Sequence, residues 1–305
     1  MEEAASLEAY LYHRHLRPFR EEPPRPPAGR PTRVETDDGV SLGVTVFEAT
    51  SASKRVVVIA PATGVLRGYY APFAAWLAAR GYVVVTFDYR GMGASRGSTQ
   101  APTMHDWGEH DLASVLAWAS ETYGGGRAAV VGHSAGGQLV GLVPDKARIV
   151  ALVTVGAQSG DYRLWPMPQR LAMAALWYGV VPTVTRAVGY LPGSLGVGED
   201  LPAGVALEWA RWCRTPGYLV GREGVARRGA FADVRAPLLA YGFDDDGYAP
   251  PAAVDALLAL YVNATIERRQ IGRQEGAVGH FGFFRERHAA LWREAASFLD
   301  RHFGA

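Results

Sequence analysis

The chain has 305 residues, with 31 Lys and Arg against 30 Asp and Glu, a formal net charge of +1. That balance argues against nucleic acid or an anionic membrane surface as a partner. A hydrophobic fraction of 49% with 11% aromatics supplies a large core and excludes general disorder. Cys213 is the single cysteine, so neither an internal disulfide nor a Cys-rich metal site can form.

The N-terminal MEEAASLEAYLYHRHLRPFR opens on two acids, and no apolar core of export-signal length follows. A cytoplasmic location is therefore expected. Residues 5–17 fit a short amphipathic helix, and six prolines across 18–31 forbid its continuation, which makes 1–31 an N-terminal helix and Pro-rich arm. From Thr32 the alternation of apolar residues around the turn Asp37-Asp38-Gly39 reads as a β-hairpin. Short, wholly apolar runs follow: VVVIA (56–60), YVVVTF (82–87), AAVVG (128–132), IVALVTVG (149–156) and APLLAYGF (236–243). Helical patterns separate them at 71–81 and 105–124, which suits a mostly parallel central sheet covered by helices on both faces, an α/β fold.

One stretch of about eighty residues breaks this alternation, too long for a structureless loop. Rich in Trp, Tyr, Gly and Pro, it is read as an inserted helical cap or lid over 158–230, leaving 32–157 and 231–305 as the core. Within it, the apolar run Leu171–Val181, closed by Pro182, is too short for a comfortable membrane span and reads as a buried or interfacial helix. Trp165, Trp177, Trp209 and Trp212, with Tyr248, are candidates for a substrate pocket, with packing of helix faces an equal alternative. The same run also suits a homodimer face.

The segment AAVVGHSAGGQLVGLV sets Gly132-His133-Ser134-Ala135-Gly136 between an apolar strand and a helix. A nucleophilic serine has to stand exposed on a tight strand-to-helix turn. That turn crowds its neighbours, so glycines are needed two residues before and two after. The helix that follows aims its N–H groups at developing negative charge. By itself the five-residue match is weak, because small-residue turns without chemistry are common; the strand-turn-helix setting raises it.

A serine needs a base, and the base an orienting acid, in the chain order Ser, Asp or Glu, His. The strand 236–243 ends in Asp244-Asp245-Asp246-Gly247, and GAVGHFGFF sets His280 in a loop before the last helix. Taken singly, an Asp-rich turn is usually a solvated cap and a lone His usually packing. Their joint occurrence, in order and at strand ends, favours a triad, with any of Asp244, Asp245 and Asp246 as its acid. His13, His15, His105, His110, His288 and His302 lie on helical stretches and suit surface roles, while His133 packs under the turn. The N–H of Ala135 and that of Thr63, in the loop Pro61-Ala62-Thr63-Gly64 after the first buried strand, would form the oxyanion hole.

From about residue 32 onward the chain resembles the α/β-hydrolase superfamily, and within it a bacterial group of serine hydrolases likened to serine aminopeptidases and monoglyceride lipases. The carrying segments are 61–95, GHSAGG (132–137), GFDDDGYAP (242–250) and GHFGFFRERHAALW (279–292). The resemblance implies a structural role for the turn Asp88–Ser95 and, by the family's G-x-x-D spacing from Gly242, selects Asp245 as the triad acid. Pro61-Ala62 stands where most relatives carry His-Gly.

The expected function is hydrolysis of a carboxylic ester or thioester of a small, partly lipophilic acyl substrate, through an acyl-enzyme on Ser134 with His280 as base. Acyl transfer or a tailoring step in secondary metabolism uses the same triad. An aminopeptidase or amidase would want a lid carboxylate for the substrate's ammonium, and none of Asp161, Glu199, Asp200 and Glu208 sits in a context that points to it. A non-catalytic binding protein on this fold is the alternative from another class. No metal-ligand spacing or phosphate-cradling loop stands out, so no metal, cofactor or nucleic acid is expected.

Overall fold

A computed structural model describes residues 29–97 and 101–303; the N-terminal helix and most of the Pro-rich arm expected over 1–31 lie outside the described residues. The fully apolar runs become neighbouring strands because a strand buried on both faces has no solvent side on which to keep polar residues. Strands β1 (Arg30–Glu35), β2 (Ser41–Phe47), β3 (Val56–Ala60), β4 (Val83–Phe87), β5 (Ala128–His133) and β6 (Ile149–Val155) join β9 (Leu238–Phe243) and β10 (Ile266–Ile271) in one sheet, ordered β1-β2-β4-β3-β5-β6-β9-β10. The hairpin β1–β2 and its pairing with β4 are antiparallel, and the remaining pairings are parallel. β1 begins at Arg30 and so takes in Pro31, which the sequence pattern assigns to the arm. An edge strand tolerates that proline, since its missing N–H falls on the unpaired side.

Side-chain alternation splits the core in two. Val57 and Ile59 of β3 join Phe73, Tyr241, Trp292 and Phe298 on one face, while Val56, Val58 and Ala60 join Trp107, Leu116 and Trp212 on the other. Helices α1 (Ala71–Ala78) and α9 (Ala289–Phe303) cover the first face, and α2, spanning 104–123 with a wide π turn over Trp107–Leu112, covers the second. The turn after β4 is held by charge. The buried Arg90 side chain donates from Nε to Asp111 Oδ1 at 2.6 Å and from its two terminal nitrogens to Asp38 at 2.6 and 2.8 Å.

Between β6 and β9 the chain runs through α4 (Gln169–Val188), the two-residue strands β7 (Tyr190–Leu191) and β8 (Leu201–Pro202), α5 (Ala203–Arg214) and α6 (Tyr218–Ala232). α4 is longer than the run ending at Pro182 suggests. Its twenty residues continue through that proline and are long and apolar enough to cross a membrane by length and composition, and most of them are not buried. A π turn over Leu176–Val180 explains the continuity: it displaces the carbonyl that the proline ring would otherwise strike. Short helices α3 (Ala135–Leu139), α7 (Pro251–Leu258) and α8 (Gly279–Gly282) complete the parts that carry the site.

Candidate active site

Ser134 is the hinge between β5 and α3 and sits at φ +49°, ψ −115°, a strained conformation for a residue with a side chain. Its N–H bonds Val155 O at 2.9 Å, which pins the turn to the end of β6. The flanking glycines are forced by space. A Cβ on Gly136 would stand 2.1 Å from Ala60 O, and one on Gly132 would stand 2.5 Å from Gly137 Cα. The same closeness brings the Pro61–Gly64 loop against the elbow. No acceptor for the N–H of Thr63 or of Ala135 occurs among the described backbone contacts.

His280 is buried on α8, and its Nδ1 lies 2.7 Å from Asp246 Oδ2, itself buried. This corrects the choice of Asp245. The turn after β9 is tight, with Asp246 N–H on Phe243 O at 3.1 Å, so the third aspartate points inward and the second stays at the rim. There Asp245 accepts the Gly279 N–H at 2.9 and 3.0 Å, fixing the chain one residue before the histidine. Asp244 accepts from Gln270 Nε2 at 2.7 Å on the outside. Asp246 Oδ1 takes the N–H groups of Tyr248 at 2.8 Å and Ala249 at 3.0 Å, so both carboxylate oxygens are committed. A Cβ on Gly156 would lie 3.1 Å from His280 Nδ1 and 3.2 Å from Asp246 Oδ2. The strand end that receives the Ser134 N–H therefore also abuts the histidine-aspartate pair.

His133 does more than pack. Its Nε2 lies 2.9 Å from His280 O and its Nδ1 2.9 Å from Tyr70 Oη, which in turn accepts the Ala62 N–H at 2.9 Å. A carbonyl can only accept, so Nε2 carries the proton and Nδ1 accepts from the tyrosine. Burial, with the neighbouring His280 adding to it, pushes His133 well below the ordinary imidazole range and keeps it neutral. One buried side chain thus ties the Ala62–Thr63 loop to the loop bearing His280. Nothing in the sequence pairs Tyr70 with it.

A second buried chain of bonds runs from Tyr218 Oη to Gln138 Oε1 at 2.9 Å, from Gln138 Nε2 to Gln158 Oε1 at 3.0 Å, and from Gln158 Nε2 to Tyr248 O at 3.1 Å. It links α6, α3 and the Asp246 turn.

The cavity beside His280, about 380 Å³, is walled among others by Val65, Tyr69, Val197, Phe281, Arg285 and Arg287. None of the four candidate tryptophans lines it. Trp177 packs on Trp209 with ring centroids 4.7 Å apart, Trp212 packs edge-on against His105 and Tyr218, and Trp165 donates to Gly247 O at 3.0 Å. Tyr248 lies with its ring 5.0 Å from that of His280. Their aromatic area is spent joining the helical segment to the core, which composition alone cannot distinguish from a pocket wall. The backbone of Val197–Glu199 seats on the Pro61–Gly64 loop, with Glu199 N–H on Gly64 O at 2.9 Å. Burial pushes the Cys213 thiol up and leaves it unreactive. Asp37, Asp38 and His110 offer ligand atoms within 4.8 Å of one another at the surface, but Asp38 is already engaged by Arg90.

A family model for the alpha/beta hydrolase family matches residues 56–294. The chain therefore belongs to the alpha/beta hydrolase family, and at that level its activity is that of a hydrolase, with esterases among its structural neighbours. The fold is similar to that of DcsB in complex with its substrate analogue, at TM-score 0.62 and 16% identity, covering 91% of this chain and all (100%) of that one. It is also similar to the esterase EaEST from Exiguobacterium antarcticum, at TM-score 0.61, 16% identity and 89% and 100% coverage. The Pyrococcus furiosus esterase Pf2001 gives TM-score 0.62, 15% identity and 94% and 97% coverage. No curated protein matches the sequence at a significant level.

Proposed function

We propose that this hydrolase cleaves a carboxylic ester or thioester of a small, partly lipophilic substrate through an acyl-enzyme on Ser134. His280 Nε2 takes the hydroxyl proton as Oγ attacks the acyl carbon, and the same proton passes to the departing alcohol or thiol. Water, deprotonated by His280, then releases the acid and restores the serine. Asp246 holds the imidazole with its proton on Nδ1, and the N–H groups of Thr63 and Ala135 receive the charge on the carbonyl oxygen, each worth ~3 kcal/mol. The segment 158–230 acts as the lid, its Val197–Glu199 strap resting on the oxyanion loop.

The observation that carries this reading is the meeting of the strained Ser134 turn and the His280–Asp246 pair at the end of β6. A fluorophosphonate probe at neutral pH is expected to label the protein and to leave Ser134→Ala unlabelled. An unlabelled intact protein would overturn the proposal.

A further inference from the structure

The cavity beside His280 has two arginines among its lining residues. Arg285, half-buried, follows the core residues Phe283 and Phe284, and Arg287 is exposed. Among the described residues neither forms an ion pair with a carboxylate, although the other arginines around the fold commonly do. Arg287 Nε donates to His288 Nε2 at 2.9 Å, a contact that requires a neutral imidazole. Burial and the positive fields of Arg287 and Arg285 hold His288 below its ordinary range, with Asp245 opposing them.

One acid faces this cavity. Asp245 lines it, but both carboxylate oxygens are turned to the Gly279 N–H. Two arginines against one carboxylate give the lining an excess positive charge, and Val65, Val197, Val278 and Phe281 add apolar surface beside Tyr69 and His280. A half-buried guanidinium without an anion stays only partly desolvated and forgoes its strongest partners. Here it lines the same cavity as His280.

Resting on the hydrolase reading above, we propose that this cavity is an anion subsite: the substrate carries a carboxylate or phosphate, separated from its scissile ester by a short apolar segment, and Arg285 receives that group with Arg287 guiding it in. The fork of Arg285 suits two oxygens of one anionic group, whereas Arg287, in water, contributes mainly long-range attraction. The site thereby distinguishes acid-bearing esters from neutral esters of the same shape.

The test compares mono-p-nitrophenyl glutarate with its neutral methyl ester. The intact protein is expected to favour the charged ester in kcat/KM, and Arg285→Glu to lower the charged-to-neutral ratio at least tenfold. Arg287→Gln is expected to lower the ratio about twofold to threefold, an effect that fades with added salt. Arg285→Gln, with thermal melts of every variant, separates loss of charge from loss of fold. Calorimetric titration with glutarate and with inorganic phosphate shows which anion the subsite prefers, and binding of either that Arg285→Glu abolishes supports the proposal. A ratio of one or less that Arg285→Glu leaves unchanged overturns it. Should neither ester be cleaved and the fluorophosphonate probe leave the intact protein unlabelled, the hydrolase reading fails, and the titrations decide the subsite alone: no uptake of either anion at millimolar concentration overturns it.

Discussion

Replacing Asp246 and Asp245 by asparagine, one at a time, separates the two carboxylates by role. Asp246 Oδ1 lies between the N–H groups of Tyr248 and Ala249, and Oδ2 faces His280 Nδ1. In Asp246→Asn the amide oxygen has to stay on the two backbone donors, because an NH2 there would leave three donors facing one another. The NH2 then points at His280 Nδ1 and forces it to accept, so the imidazole proton moves to Nε2, where no lone pair remains for the serine proton. Wrong-tautomer substitutions of this kind cost about a thousandfold to ten-thousandfold in kcat, or ~4–5.5 kcal/mol at 1.36 per decade. Asp245→Asn keeps an oxygen for the Gly279 N–H and loses only the charge, so its cost is expected within about fivefold. Hydrolysis of p-nitrophenyl butyrate, with circular dichroism to verify folding, measures both. A greater loss in Asp245→Asn than in Asp246→Asn would refute the tautomer reasoning and restore the family spacing as the guide.

Arg90→Met leaves Asp111 without its buried partner, and such a stranded charge costs about 3–5 kcal/mol; a melting curve is expected to fall by about 10 °C, and an unchanged melting temperature would contradict a structural role for this turn. Tyr70→Phe withdraws a donor from His133 Nδ1 and an acceptor from Ala62 N–H, so kcat is expected to fall about tenfold with little change in KM. A rise in KM alone would place Tyr70 in binding instead. His133 also predicts acid sensitivity: its native pKa lies below the unfolded value of about 6.5, so the unfolded chain takes up a proton that the native state refuses. Stability is therefore full above that value and declines as pH falls below it, by up to ~1.4 kcal/mol per unit. Urea midpoints at about pH 7 and pH 5.5 should drop less in His133→Gln than in the intact protein, and equal drops would exclude His133 as the source.

The sheet was legible in the sequence because strands buried on both faces have no freedom to be anything but apolar, and β3, β4, β5, β6 and β9 all fall on such runs. The turn at Ser134 was legible because its flanking glycines, spaced two before and two after between an apolar strand and a helix, answer to backbone clashes at that turn. The acid was not. Three consecutive aspartates are chemically identical, and which one turns inward depends on a single turn, Asp246 N–H to Phe243 O, whose pitch no spacing rule encodes. Tyr70 and His133 were hidden because their bond spans 63 residues and joins two loops that only the folded sheet brings together. Proline misled in one place, since a π turn beneath Pro182 lets α4 continue.

Net charge is silent on the field at one place in the fold, and the reason is general. An excess of one positive charge over 305 residues describes the field far from the molecule, where Arg55 and Asp300 cancel as surely as Arg301 and Glu267. A substrate at His280 meets the local field instead, within a Debye length of about 8–10 Å. There Arg285 and Arg287 form no ion pair among the described residues, and the one acid lining the cavity, Asp245, is turned toward the Gly279 N–H beside His280. Asp245 keeps its charge while it accepts that N–H, so the lining residues set one carboxylate against two arginines. That local excess, and not the net charge of the whole chain, is what an anion arriving at the cavity would meet.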